Sequence, residues 1–381
     1  MTDDTVSPVV FRSLQRPSDE SIQQFYRAMG TCWQPVLRSA DLVADGVAGR
    51  VSGRVAGEET CETANFGANA MRSVTLLDKP LVIARLDGKL TALLDVCRHF
   101  QARLSLGEIT SVNGQAAIQC PYHGWAYAPD GQCVRIPQLA ADRRIPETVN
   151  VPTFQVTEAL GLIWVCMADE PVFDIPLFDE FHQSTFRITT LDEQTLTHTS
   201  SPRMIMATLD DTHFPWVHEG ILGTRDQPQA PDHTVTRDGS TLKVSYTTEQ
   251  PASLASGATA GDHPVTIHYD NSVHMPNVIK LKKTTPTGRY IIWLATCPVD
   301  YCHTRSFWTF ARDYDTDPSH DAAYESFSAH VRSQDKPIIE SQQPWLLPPF
   351  WTKIELPQAG IDEPLIQYQR WLQELGIVID V

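Results

Sequence analysis

The sequence predicts an α+β protein in two parts, a small all-β domain followed by a larger domain in which helices accompany one antiparallel sheet. Three observations predict it. The 381 residues, 42% of them apolar, suffice to bury two cores. From about residue 80 to residue 167, short strand patterns follow one another between turn signals. Beyond 185 the strand patterns lengthen, and two helical patterns close the chain.

The first element is a helix over SDESIQQFYRAM at 18–29. Ser18 can cap it, Ile22, Phe25, Tyr26 and Met29 share one face, and Gly30 stops it. LVIAR and LTALLDV then flank the hairpin signal Asp87-Gly88, AAIQC follows, and Pro129-Asp130-Gly131 marks another turn. This β texture runs to GLIWVCM at 161–167, and ADEPVFDIPLFDE reads as a linker. Past it, TLKVSYTTE, VTIHYDN, NVIKLKK, RYIIWLAT and TRSFWTFARDY alternate as strands of one antiparallel sheet. Residues 318–343 and 362–375 read as helices, the last opened by Asp362 and Pro364 and ended by Gly376. QPASLASGATAGDHP is small and polar, and its segment 251–264 is expected to act as a lid.

Composition excludes some functions. With 30 basic and 46 acidic residues the net charge is −16, which gives no basic surface for a nucleic acid partner. The most apolar stretch, YIIWLA at 290–295, is far too short to span a bilayer, and MTDDTVSPVV does not read as a secretion signal, so a cytoplasmic location without membrane attachment is expected. Eight scattered cysteines then fit reduced thiols better than a disulfide framework.

Two cysteines have a histidine close by: Cys97-Arg-His99 and, 23 residues on, Cys120-Pro-Tyr-His123. Two thiolates and two imidazoles suit tetrahedral zinc, or a [2Fe-2S] cluster in which two histidines replace two cysteines on one iron. Both segments read as loops between hairpins, without the helix that commonly carries the histidines of a small zinc finger. A second constellation is LDDTHFPWVHEG at 209–220. His213 and His218 stand five apart, about 140° beyond one helical turn, so a regular helix would not aim both at one metal. Pro215 lies between them and is expected to bend the helix.

Read onward, the first pair continues as CRHFQARLSLG and the second as CPYHGWAYAPDG. Here the sequence resembles the Rieske family, whose loops have the form Cys-x-His…Leu-Ser-x-Gly and Cys-Pro-x-His-Gly-Trp. The resemblance implies a [2Fe-2S] cluster with Cys97 and Cys120 on the inner iron and His99 and His123 on the outer, and Trp125 packed against the loops. Respiratory Rieske proteins carry an extra cysteine in each loop, forming a disulfide. Ala102 and Tyr122 stand at those places here, which implies the less oxidising, ferredoxin-like kind of cluster.

The 209–220 stretch in turn resembles the iron segment of Rieske non-haem iron oxygenases, in which two histidines and a distant carboxylate form a facial triad with positions left open for oxygen. The resemblance makes His213 and His218 iron ligands. It makes Asp210 an electron bridge between His213 and the partner subunit's His123, and leaves Asp211 as a solvated or capping residue. Asp335, in SQDKPIIESQQP, resembles the Glu/Gln-Asp-Lys segment that carries the third ligand in vanillate and dicamba O-demethylases. It is preferred over Asp313, Asp315, Asp317, Asp321 and Glu340. Met206 departs from the family, which often has Asn there, and YQRWLQELG resembles the Tyr-Arg-Arg-Trp-Leu ending of the demethylase branch.

The resemblance thus implies an N-terminal helical segment at 1–45 packing on the catalytic domain, an all-β Rieske domain at 46–168 and a helix-grip catalytic domain at 169–381. It implies the α subunit of a terminal oxygenase, using O₂, the Rieske cluster and mononuclear Fe(II), with electrons from an NAD(P)H-dependent reductase, directly or through a ferredoxin. The expected reaction is monooxygenation of a small aromatic substrate, by hydroxylation or by O- or N-demethylation, in a homotrimer. Arene cis-dihydroxylation and a plain electron carrier are the alternatives. His268, Asn277, Trp293, Trp308 and Phe310 are expected to line the pocket. His182, His198, His233, His263, His303, His320 and His330 are expected to be surface or structural.

Overall fold

The computed structural model describes residues 16–42, 70–140, 142–190, 195–258 and 263–378. The chain divides into two compact units, one formed by Pro35–Pro171 and the other by the residues before and after it. The boundary expected at 45/46 lies outside the described residues.

Among the described residues, the Pro35–Pro171 unit is built from three small sheets. Strands β2 (Met71–Leu76), β3 (Lys79–Leu86) and β4 (Lys89–Leu94) form one. Asp87 and Gly88 turn β3 into β4 with φ of 51° and 74°, the left-handed pair that a two-residue hairpin requires. Strands β5 (Glu108–Val112), β6 (Gln115–Gln119), β7 (Ala126–Tyr127) and β8 (Cys133–Arg135) form the second. The third joins β1 (Gln34–Arg38) to β10 (Leu162–Cys166), which also pairs with β9 (Gln155–Ala159). Val82, Leu86, Leu93, Leu104, Ile118 and Tyr127 pack as one core.

The other unit begins with α1 (Asp19–Gly30), capped by Ser18, whose hydroxyl accepts from the Ser21 amide. Its buried Ile22, Phe25, Tyr26 and Met29 each contribute about 1.5–3 kcal/mol of burial free energy. The eight-stranded sheet is an antiparallel meander of β13 (Thr234–Asp238), β14 (Thr241–Gln250), β15 (Val265–His274), β16 (Val278–Thr284), β17 (Arg289–Pro298) and β18 (Thr304–Arg312). Its far edge is closed by β11 (Arg187–Thr190) and β12 (Thr195–Thr197), both paired with β18. The five longest strands match the sequence patterns; β11, β12 and β13 are additional.

Among the described residues, four helices accompany α1 and the sheet: α2 (Ser201–Leu209), the single turn α3 (Phe214–Val217), α4 (Asp321–Ser341) and α5 (Glu363–Glu374). Asp321, at the start of α4, is gripped by Arg312 at the end of β18, 2.7 Å away, and by Arg187 of β11. This anchor fixes where the long helix begins over the sheet. No helix among the described residues is long and apolar enough to cross a membrane.

Candidate metal centres and substrate cavity

The two Cys/His loops differ in spacing yet close in the same way. The Cys97 amide donates to the Ala102 carbonyl and the Gln101 amide to that of Cys97; in the other loop the Cys120 amide donates to Trp125 and the Gly124 amide to Cys120. Each loop reverses through a left-handed residue at the fourth place after its cysteine, Gln101 (φ 58°) and Gly124 (φ 73°). Both thiols are buried and both imidazoles half-buried, with His99 Nδ1 3.1 Å from His123 Nδ1, near enough for one ion to hold both. His99 lies flat on Trp125, 4.5 Å between centroids and 8° between planes.

The surrounding chain explains the rest of the motif. Ser105 donates both its amide and its hydroxyl to the fully buried Asp95, at 2.7 and 2.6 Å, tying the loop back to its own entrance. A Cβ at Gly107 would lie 1.9 Å from the Gln119 carbonyl oxygen, next to Cys120, so only glycine fits. The Arg98 amide donates to Tyr127 Oη at 3.2 Å, leaving the hydroxyl to donate to Cys97 Sγ at 3.3 Å. Burial, and the neighbouring Cys120, push the Cys97 thiol above its ordinary range, and hydrogen bonds offset only part of this. A metal that takes the thiolate removes that penalty, so the donor set and its burial fit an iron–sulfur cluster.

The second centre is built at a break between helices. Helix α2 ends at Leu209, Asp210 is extended (ψ 132°), and α3 is one new turn with His213 before it and His218 after it. Pro215 therefore does not bend a continuous helix, as expected from the sequence. It stands in the first turn of α3, where its missing N–H costs nothing. Capping opposite ends of one turn brings the two rings to 5.1 Å between centroids.

Asp335 of α4 meets both. Its Oδ1 lies 2.9 Å from His218 Nε2 and 3.6 Å from His213 Nε2. The Nδ1 atoms face other partners: Asp210 Oδ2 at 3.2 Å for His213 and Gln334 Oε1 at 2.9 Å for His218. These outer contacts fix ring orientation and leave Nε2 to a metal, the arrangement found around metal-binding histidines. Burial lowers the pKa of His213, but Asp210, Asp335 and Asp211 raise it by more. Burial likewise raises Asp210, while His213 and Thr212 hold it below the carboxylate range. A pocket whose carboxylates stabilise positive charge suits a cation, and two imidazoles with one carboxylate suit iron with open positions.

The other carboxylates weighed against Asp335 are engaged elsewhere: Asp313 with Arg289, Asp315 with His320 and Tyr324, Asp317 with Ser319, Asp321 with its two arginines, and Glu340 with the His198 amide. Asp211 is not solvated. Its carboxylate meets His233 Nε2 at 3.1 Å from both oxygens, both side chains being buried, because the chain has left the helix and turns this side chain inward. His198, Cys302 and His303 also converge. There His198 is stacked between His303 (4.7 Å) and Trp345 (4.2 Å), His303 Nδ1 turns to Asp300, and the Cys302 thiol is pushed up to about 12 by burial and Asp300.

A cavity of about 120 Å³ adjoins His213, His218 and Asp335. Of the five expected lining residues, Trp308 and Phe310 line it, and His268, Asn277 and Trp293 do not. Strand alternation is the reason: on β17 Tyr290 and Ile292 face the cavity, so Trp293 faces the other way, against Phe178 and Phe181. Asn277 is tied to Gln34 and to the carbonyls of Trp33 and Thr296, and His268 is exposed beside Asp270. In the segment expected to be a lid, Ala255 lines the cavity and Tyr314 Oη donates to Leu254 at 2.7 Å; residues 259–262 lie outside the described residues. Gln334, Lys283, Asp95 and Tyr127 carry no signal at motif spacing, although Gln334 sits in the segment that resembled the demethylases.

An all-β cluster unit and a sheet-and-helix unit with a two-histidine, one-carboxylate centre define a Rieske-type oxygenase. Residues 58–155 match the Rieske [2Fe-2S] domain and residues 198–376 the vanillate O-demethylase oxygenase C-terminal domain. Methylxanthine N1-demethylase NdmA of Pseudomonas putida is 31% identical over 308 residues, 80% of this chain and 82% of NdmA. Methylxanthine N3-demethylase NdmB of the same organism is 29% identical over 322 residues, 83% and 86% of the two chains. The solved structure of NdmA with caffeine superposes with a TM-score of 0.73 at 26% identity, covering 93% of this chain and 92% of that one. The chain belongs to the Rieske non-haem iron oxygenases, as an oxygenase component whose cofactors are a [2Fe-2S] cluster and mononuclear iron.

Proposed function

We propose that this oxygenase monooxygenates a small aromatic substrate, removing a methyl group from oxygen or nitrogen, with electrons from an NAD(P)H-dependent reductase. The observation that carries this is the meeting of His213, His218 and Asp335 at the edge of an apolar cavity. Likeness to the vanillate O-demethylase domain and to two N-demethylases favours demethylation over cis-dihydroxylation. When bound, the cluster supplies single electrons and the mononuclear iron activates O₂.

In this reading each residue has its own task. Cys97, His99, Cys120 and His123 hold the cluster, and Tyr127 holds the Cys97 sulfur by its hydroxyl proton. His213, His218 and Asp335 hold the single iron, and Gln334 fixes the tautomer of His218. Trp308, Phe310 and Ile292 orient an aromatic ring and keep bulk water away from the reacting atoms. Asp210 supports His213 and, in a head-to-tail trimer, links it to the partner subunit's His123. A heterologous contact that closes into a ring is the symmetry this link needs.

The test is a screen of methoxy- and N-methyl-substituted aromatics for substrate-dependent O₂ and NADH consumption with a surrogate reductase, followed by product mass. Loss of CH₂ is the expected result. A product that gains two oxygens would replace demethylation by dihydroxylation.

A further inference from the structure

The cavity wall is apolar over most of its extent, with Leu222, Leu281, Ile292, Trp308 and Phe310 among its residues. Among the strand residues that line it, one charged side chain breaks the pattern; the other cations of the wall, Arg332 and Lys336, come from α4. On β16 the residues alternate: Lys280 and Lys282 face away from the cavity and pair with Glu180 and Asp270, while Leu281 and Lys283 face it. Lys283 thus occupies a place where alternation calls for an apolar side chain, and it is 2% exposed.

Its ammonium group has no ion pair or hydrogen bond among the described residues. The Tyr269 ring, 5.4 Å from Nζ to the centroid, is its polar company. Burial alone pulls its pKa down to about 8, with no carboxylate to oppose the shift. Directly across the β16–β17 register stands Tyr290, 1% exposed, also lining the cavity, and its hydroxyl has no hydrogen-bond partner among the described residues. A buried ammonium without a counter-charge and a buried hydroxyl without an acceptor are both costly, and neither is relieved by the chain itself. Two such donors side by side on one cavity wall are relieved together by a single acceptor that carries negative charge.

We propose that Lys283 and Tyr290 form an anion subsite in the substrate cavity, so that the substrate is an aromatic acid whose carboxylate accepts from Lys283 Nζ and Tyr290 Oη. This rests on reading the adjoining His213–His218–Asp335 centre as the oxygenase iron site, and it narrows the substrate class. The apolar wall takes the ring, and the two donors select the end of the molecule that is not oxidised. Neutral aromatics of the same shape leave both donors unpaired and are rejected for that reason.

The experiment measures equilibrium binding to the iron-loaded protein by calorimetry, for benzoate, 3- and 4-methoxybenzoate and phenoxyacetate, each beside its methyl ester. At least one acid is expected to bind about tenfold or more tightly than its ester, as a charge-assisted hydrogen bond allows. Lys283→Met, which keeps length and apolar packing, should weaken that acid about 10- to 100-fold and leave the ester within about threefold. Tyr290→Phe, which removes one oxygen, should cost the acid a smaller factor and provides a second readout should Lys283→Met fold poorly. The proposal is overturned if no acid in the panel binds better than its ester, or if both variants retain the parent's acid preference. Iron content of His213→Ala is measured in parallel. Retained iron there would sink the reading of the metal centre, whereas lost iron with no acid preference in the parent would sink the subsite alone.

Discussion

Gln334 Oε1 stands 2.9 Å from His218 Nδ1, and the next residue of the same helix, Asp335, reaches the opposite nitrogen of that ring at the same distance. One imidazole is therefore held from both ends by consecutive residues of α4. Gln334→Leu keeps the volume but removes the acceptor that fixes the tautomer. Iron affinity should fall about 10- to 100-fold, the usual result when such an outer partner is lost. Iron titration of the variant checks this, with unchanged visible absorption of the cluster as the control.

The two metal centres should empty independently, because the donors proposed for them belong to different compact units. His213→Ala and Asp335→Ala are expected to lose the single iron and keep the cluster's absorption, and Cys120→Ser to do the reverse. Iron quantitation and the visible spectrum decide it. Full iron in Asp335→Ala would remove that residue from the ligand set.

Gly107→Ala tests the architecture of the cluster loops. The added carbon would overlap the Gln119 carbonyl oxygen, and backbone must move to admit it. We expect a loss of roughly 2 kcal/mol or more, as for overpacking at a rigid site, together with reduced cluster content. Cluster occupancy equal to the parent's would show that the loop can yield.

Asp321→Asn should loosen the start of the helix that carries Asp335. A loss of roughly 1–2 kcal/mol is expected near neutral pH, mostly from the buried Arg312, since Arg187 is a third exposed and screened. Its hydrogen bonds to Arg187 and Arg312 lower the Asp321 pKa from 3.8 to about 2. For a depressed carboxyl the stabilisation is complete above the unfolded value and is lost as pH falls towards the folded one. The gap between parent and variant in denaturant titrations should therefore hold above about pH 4 and close between about 4 and 2. A gap that widened on acidification would contradict the assignment.

The bridging role proposed for Asp210 makes a prediction about mixed oligomers. Cys97→Ala and His213→Ala chains should each be inactive, and co-expressed they should regain part of the turnover, since some junctions pair an intact cluster with an intact iron. Asp210→Ala, assayed at iron concentrations that keep both centres filled, should leave the cluster reducible while product formation nearly stops, beyond any fall in iron affinity from losing the contact to His213. Mixed assemblies with verified metal content and no turnover would leave Asp210 a structural partner of His213.

The candidate metal centres were legible because their expected donors lie in short local runs: Cys97 to His99, Cys120 to His123, His213 to His218. Asp335 needed the resemblance of its segment, being more than a hundred residues from the histidines it meets. What escaped depends on faces and registers. Lys283 matters because it faces inward and Tyr290 stands across the register from it, and the strand sequence alone does not say which of its two faces is covered. The same ambiguity misplaced Trp293. Pro215 was misread because a proline that bends one helix and a proline that starts the next give the same local pattern. Asp211 was misread because the turn after Leu209 changes which way its side chain points.

Helix α4 contains Pro337, which has no N–H to give to the carbonyl of Ser333. The backbone bond missing there is the one that would have spanned Gln334 and Asp335. The turn that presents both to His218 thus lacks the strut that stiffens an ordinary helical turn, and its order comes from what its side chains grasp. Deuterium uptake should register this. Amides around 333–336 should exchange faster than those near Ser328, in the uninterrupted part of the same helix, and they should slow when ferrous iron is added to metal-free protein, so that the helix reports through its own solvent exchange whether the centre is filled.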